Sequence, residues 1–133
     1  MELGKKLFRF IVPFLFFMPC FGQEKAMTLN IRYSTSNDGE NSWENRGEDL
    51  VRLLAYYEPD FLGTQEGLQG QLQYIDNELS PYDHVGVGRD DGKEKGEFTA
   101  IFYNTNKYEL LKTETFWLSD TPNKVSVGWD ASM

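Results

Sequence analysis

Between positions 26 and 65 the apolar residues change period twice, and those two changes restrict the fold more than any other feature of the chain. From Ala26 to Tyr33, Met27, Leu29 and Ile31 alternate with Thr28, Asn30 and Arg32. A period of two describes a strand with one face on a core and the other on a polar site. Ser34 to Ser42 is rich in Ser, Asn, Asp and Gly and reads as a loop. Leu50, Leu53, Leu54 and Tyr57 then follow helical spacing, which makes this segment the cover of a sheet face. Asn41 or Ser42 supplies its cap, Glu44 suits its first turn, and it stops before Pro59. Asp60 to Gln65 is a second short strand. Strands joined through a helix pair in parallel, so the chain is α/β.

The remainder extends this pattern. Leu68, Leu72, Ile75 and Leu79 are helically spaced, with Gly70 a modest weakness, and Ser80-Pro81 ends the helix. Tyr82 to Val87 reads as strand, and Gly88 to Gly96 as a charged loop. Phe98 to Asn104 and Tyr108 to Leu118 read as two strands of a hairpin turning at Thr105-Asn106. An order of β-α-β-α followed by several strands suits a layered fold with a mixed sheet. Val125 to Met133 opens a new segment and stops without a cap or turn, so the domain reads as incomplete.

Ahead of all this, residues 1–22 have the layout of a secretory signal peptide. Lys5, Lys6 and Arg9 make a basic start, Phe10 to Met18 is apolar, and Cys20-Phe21-Gly22 offers small residues for cleavage. The apolar run is shorter than the roughly 20 residues of a membrane span. The expectation is a protein secreted or exported to a periplasm, with residues 23–133 as its domain; lipid anchoring through Cys20 is the alternative. Removing Lys5, Lys6, Arg9 and Glu2 from 13 basic and 21 acidic residues leaves 10 and 20, a net charge of −10. Such a surface disfavours nucleic acid as a partner, because that affinity rests on Lys and Arg meeting phosphates. No transmembrane span is read, and the complete protein is expected to be a monomer.

Both early strands end in polar residues. Asn30 stands near the end of the first, and Gln65-Glu66 closes the second. Ligands of α/β sheets gather at the carboxyl ends of strands. An amide and a carboxylate placed side by side there suit a hard divalent cation such as Mg²⁺, or Mn²⁺ in its place. Taken alone, Asn30 also reads as a polar residue facing solvent. Glu97, just ahead of Phe98, reads either as an edge charge or as a carboxylate that orients a histidine. The chain's one histidine, His84, reads as structural. No phosphate-loop motif surrounds Gly86-Val87-Gly88-Arg89, but Arg89 is a candidate to meet an anionic substrate. Trp43, Trp117 and Trp129 read as cleft-lining or as packing.

Leu29-Asn30-Ile31-Arg32, Gln65-Glu66, Gly96-Glu97 before Ala100-Ile101-Phe102-Tyr103, and Thr115-Phe116-Trp117-Leu118-Ser119 together resemble the endonuclease/exonuclease/phosphatase family. This superfamily of metal-dependent phosphoesterases includes DNase I-like nucleases, deadenylases, sphingomyelinases and inositol-polyphosphate 5-phosphatases. The resemblance runs from about Ala26 onward. Val85 to Gly92, Val-Gly-Val-Gly-Arg-Asp-Asp-Gly, is similar to a stretch in its secreted bacterial branch. The resemblance implies a four-layer α-β-β-α sandwich of which this chain is the amino-terminal half. It implies that Glu66 ligates Mg²⁺ and that Asn30 binds the metal, its water or the phosphate. It further implies that Glu97 pairs with a catalytic histidine and that Arg32 lies near the phosphate. The family's later Asn-Thr-His, Asp-x-Asn and Ser-Asp-His motifs are expected beyond Met133. The function expected is hydrolysis of a phosphate ester, with a small phosphodiester, lipid head group or phosphosugar as substrate and the fragment alone inactive. A non-catalytic secreted binding module on the same fold is the alternative.

Overall fold

A computed structural model describes residues 22–128. The expected signal segment, Cys20 included, lies outside the described residues apart from Gly22, and Trp129 does too. The elements are β1 (Ala26–Asn30), α1 (Trp43–Tyr57), β2 (Phe61–Gly67), α2 (Gln69–Glu78), β3 (Tyr82–Val85) and β4 (Phe98–Asn104). A 3₁₀ turn, Gly39–Asn41, leads into α1. No helix among the described residues is long and apolar enough to cross a membrane.

The four strands form one mixed sheet in the order β1-β2-β4-β3. β1 and β2 are parallel, with Asn30 opposite Gln65, and β4 runs antiparallel to both β2 and β3. Both helices cover one face. Leu54 of α1 and Leu72 and Ile75 of α2 bury their side chains against Ile31, Leu62, Ala100 and Phe102. Each large apolar group so enclosed contributes about 1.5–3 kcal/mol relative to exposure. Trp43 belongs to this packing: it meets Tyr74 edge-on, with ring centroids 5.7 Å apart, and so joins α1 to α2. His84 also sits on the helix side, with Nδ1 2.6 Å from Asp76 Oδ2 on α2, as a structural histidine would. Burial raises the Asp76 carboxyl above its ordinary range, against the opposing pull of His84.

Several expectations change: β3 ends at Val85 rather than Val87, and β2 runs from Phe61 to Gly67 rather than from Asp60 to Gln65. β1 ends at Asn30 rather than Tyr33, because Arg32 takes left-handed backbone with φ 59°. Ser42 occupies the N-cap of α1, but its side chain makes no capping hydrogen bond. Tyr108 to Leu118 forms no strand, and no hairpin turns at Thr105-Asn106. The reason is topological: β4 is an interior strand whose two edges are already taken by β2 and β3. The chain after β4 instead crosses the face away from the helices, over Phe61, Ile101 and Tyr103. Tyr108 packs there against Phe61 with the rings tilted at 47° and centroids 4.4 Å apart.

Asp60 clamps the end of the sheet opposite to Asn30. Its buried carboxylate accepts from the Lys25 backbone N–H at 2.8 Å and from Lys107 Nζ at 2.6 Å. The Lys107 hydrogen bond, then that of Lys25, holds its pKa below the ordinary value. A carboxyl whose pKa falls on folding stabilises above its unfolded pKa, and that contribution disappears as pH drops through the folded one. Asp60→Asn is therefore expected to lower the melting temperature at neutral pH, with the gap to wild type closing in strong acid. Melting curves of both proteins across pH check this; a gap as wide in acid as at pH 7 would contradict it.

Candidate active site

The topology gathers polar residues at one end of the sheet. β1, β2 and β3 all finish there, and β4, running the other way, starts there. Asn30, Glu66, Arg89 and Glu97 come together in one cleft of about 540 Å³. Its opposite wall is the segment Thr115-Phe116-Trp117-Leu118. Arg32 is not among the lining residues. Its guanidinium is engaged by Asp38, with Nε and Nη2 each 2.8 Å from a carboxylate oxygen. That pairing raises the Arg32 pKa and lowers that of Asp38.

Glu66 reaches the cleft through a β-bulge. Thr64 pairs with Ala100 and Gly67 with Phe98, so β2 spends three steps where β4 spends two. Regular alternation after buried Leu62 and Thr64 would turn residue 66 into the core. The extra residue, with Glu66 at φ 60°, turns the carboxylate toward Asn30 instead. Gly67 then takes the buried position, where a Cβ would lie 2.9 Å from Leu72 Cδ2 and 3.0 Å from Ile31 Cδ1. Left-handed backbone at a non-glycine residue is costly, and here it occurs at Arg32 and Glu66, one on each side of the same corner.

The hydrogen bonds of that corner are directional. Asn30 Nδ2 donates to Glu66 Oε1 at 2.7 Å, and the Tyr33 backbone N–H donates to Oε2 at 3.3 Å. Asn30 Oδ1 accepts from the Arg32 backbone N–H at 2.8 Å. That N–H requires an oxygen, which fixes the sense of the amide. In this arrangement the amide orients Glu66, and its oxygen, having accepted one hydrogen bond, keeps a second lone pair for a metal or its water. Donation first from Asn30 and then from Tyr33 lowers the Glu66 pKa. The carboxylate is thus ionised throughout the neutral range. One ionised carboxylate steered by neutral donors, at the edge of a cleft of this size, suits a hard divalent cation.

Glu97 does not meet a histidine among the described residues. Arg89 Nη1 donates to Glu97 Oε2 at 2.8 Å, and Arg89 Nε lies 3.4 Å from Asp90 Oδ1. The guanidinium remains about half exposed within the cleft. The loop that carries it folds on itself: Arg89 N–H donates to Glu97 O, Asp90 N–H to Lys95 O, and Gly88 N–H to Lys93 O. Trp117 lines the cleft and packs toward Gly92. Sequence reasoning missed the Tyr33 N–H and the irregular path of residues 115–118, although it offered Trp117 as cleft-lining. The first depends on a left-handed residue that no side-chain pattern announces. The second was hidden by the strand-like alternation of Tyr108 to Leu118.

No protein-family model matches the chain. Solved structures do. A mannosyl-6-phosphatase of Bacteroides thetaiotaomicron matches with a TM-score of 0.80 and 39% identity, over 84% of this chain and 42% of that one. An endonuclease/exonuclease/phosphatase from Bacteroides vulgatus matches with a TM-score of 0.75 and 41% identity, over 80% and 41%. An uncharacterized protein of Acanthamoeba polyphaga mimivirus is 30% identical over 113 residues, 79% of this chain and 41% of the relative. The chain therefore spans about two fifths of the length of each of these three proteins.

Proposed function

We propose that this chain, which has the α/β fold of endonuclease/exonuclease/phosphatase proteins, is the amino-terminal part of a divalent-metal-dependent enzyme that hydrolyses phosphate esters. The observation that carries the reading is the ionised Glu66 carboxylate, aimed by Asn30 into a cleft that also holds Arg89 and Glu97. Export is part of the proposal, on the strength of the basic start and apolar run of residues 1–22, as is kinship with secreted bacterial members of the family.

A divalent cation such as Mg²⁺ would be held at the Asn30–Glu66 corner, where it would supply Lewis-acid stabilisation of the phosphate's developing charge. Glu66 holds the ion, and Asn30 holds Glu66. Arg89, kept in place by Glu97, turns its exposed edge to a phosphate oxygen. Phe116 and Trp117 exclude water from one side and offer an apolar face to the rest of the substrate. Groups that move protons are expected from the remainder of the complete protein.

A phosphorylated carbohydrate is the substrate class we favour. A relative named as a mannosyl-6-phosphatase supports it. So does the chain's charge of −8, with no Lys or Arg from Glu66 to Val87, which suits a long polyanion poorly. The complete protein, given mannose 6-phosphate and Mg²⁺, is expected to release inorganic phosphate, to stop with EDTA, and to process DNA far more slowly. Absence of metal-dependent release from any phosphate ester would sink the proposal, and faster cleavage of DNA would sink the carbohydrate assignment.

A further inference from the structure

We infer that Arg46 and Gln71 are positioning residues that hold the Asn30–Glu66 corner through two peptide groups. The inference rests on the reading of that corner as the metal site. Neither residue lines the cleft. Arg46 stands in the first turns of α1, over the Trp43 ring at 5.2 Å, and Gln71 is buried near the start of α2.

The Arg46 guanidinium is a fork on backbone oxygens. Nη1 donates to the Ile31 carbonyl, Nη2 to the Arg32 carbonyl at 2.7 Å, and Nε to the Asn41 carbonyl at 2.8 Å. Gln71 Nε2 donates to the same Arg32 carbonyl at 3.0 Å, while its Oε1 accepts from the Leu68 N–H at 3.0 Å. A peptide group is planar, so a held carbonyl fixes the N–H on its other side. The Ile31 carbonyl shares its plane with the Arg32 N–H, which holds Asn30 Oδ1. The Arg32 carbonyl shares its plane with the Tyr33 N–H, which holds Glu66 Oε2. The two carbonyls under the fork thus belong to the two peptides whose N–H groups set the corner.

Arg32, between those peptides, is the left-handed residue. Relaxation of its backbone would swing both N–H groups away from their acceptors, and donors from two helices oppose that rotation. A cation on the carbonyl side also polarises each peptide and strengthens its N–H as a donor. Lysine keeps the charge but not the fork, since a single ammonium does not present the rigid planar donors that span two carbonyls.

The experiment measures Mn²⁺ affinity of the complete protein without substrate, by electron paramagnetic resonance of the free ion, beside metal-free melting curves. Arg46→Lys is expected to weaken Mn²⁺ binding about 10–100-fold, the range for partners that orient a metal ligand. Gln71→Met is expected to weaken it less, and both variants should melt within a few degrees of wild type, roughly the shift of 1 kcal/mol. Wild-type affinity in folded Arg46→Lys would overturn the inference. If that variant does not fold, wild-type affinity in Gln71→Met overturns it. An affinity loss that tracks a fall in melting temperature in both variants would also overturn it, in favour of a merely structural role. Glu66→Gln separates the two levels. If it too binds Mn²⁺ normally, the reading of the corner fails and the inference with it; if it binds weakly while Arg46→Lys binds normally, only the inference fails.

Discussion

Glu66→Gln in the complete protein is expected to raise the Mg²⁺ concentration for half-maximal activity by at least about 100-fold and to slow turnover, since even partners that only orient a ligand are worth 10–100-fold. The substitution keeps length and shape. It removes the only formal charge that the Asn30–Glu66 pair offers a cation, and hard divalent ions depend on charged oxygen. It also places an amide where Asn30 Nδ2 and the Tyr33 N–H both donate, so half of the replacement confronts donors with a donor. Glu97→Gln is the informative contrast. Its carboxylate is bound to Arg89 rather than to the corner, at 2.8 Å. Loss of that charge frees Arg89 and lowers turnover, while the Mg²⁺ midpoint stays within about threefold, well under the 10–100-fold attached to metal-orienting partners. A Mg²⁺ titration of activity for wild type and both variants decides the matter. An unmoved midpoint in Glu66→Gln, or a larger shift in Glu97→Gln, reverses the assignment.

Gly88→Ala is expected to cost about 1–3 kcal/mol of stability, the range for atoms forced into filled space, and to weaken substrate binding. A Cβ on Gly88 would overlap the Lys95 backbone, 2.6 Å from its nitrogen and 2.7 Å from its carbonyl carbon. Backbone cannot swing aside as a side-chain tip can. The obstacle is tied in place, because the Lys95 N–H donates to Asp91 Oδ1 at 3.0 Å and its carbonyl accepts from Asp90. The loop must open to admit the methyl group, and opening it separates Arg89 from Glu97. Gly70 offers a control within the same chain. It lies in α2, where a Cβ would meet nothing within 4 Å, so Gly70→Ala should stabilise, by up to about 1 kcal/mol. Melting temperatures that move in opposite directions for the two substitutions, with KM raised only in Gly88→Ala, are the expected result. Equal shifts would show that the crowding at Gly88 is relieved without opening the loop.

The elements that could be read directly were those whose side-chain period is undisturbed. β4 coincides with the expected Phe98 to Asn104, because Phe98, Ala100 and Phe102 alternate cleanly into the core. α1 and α2 followed from Leu54, Leu72 and Ile75, and parallel pairing of β1 with β2 followed from the helix between them. The hairpin failed because alternation shows that a segment is extended, not which strand edges remain open. Asn30, Glu66, Arg89 and Glu97 were legible as candidates since each stands at a junction of strand and loop. What joins them was not. The bulge that turns Glu66 outward, the left-handed Arg32 and the fork of Arg46 are backbone events, and a period-two or period-3.6 pattern carries no mark of them.

The strand order β1-β2-β4-β3 has a consequence for how the chain is made. β4 comes last of the four described strands, yet it lies between β2 and β3 in the sheet. From the synthesis of Gly67 to that of Asn104 the ribosome adds 37 residues, on the order of 2–7 s of translation. Throughout that interval β2 has one partner, and β3, once made, has none, so each shows a row of unpaired backbone groups. Such edges recruit other chains as readily as their own. Closure then requires contacts between residues nearly forty positions apart, which are slow to form. A nascent chain of this topology is exposed to aggregation until β4 arrives, and a holding chaperone acts to best effect within those few seconds.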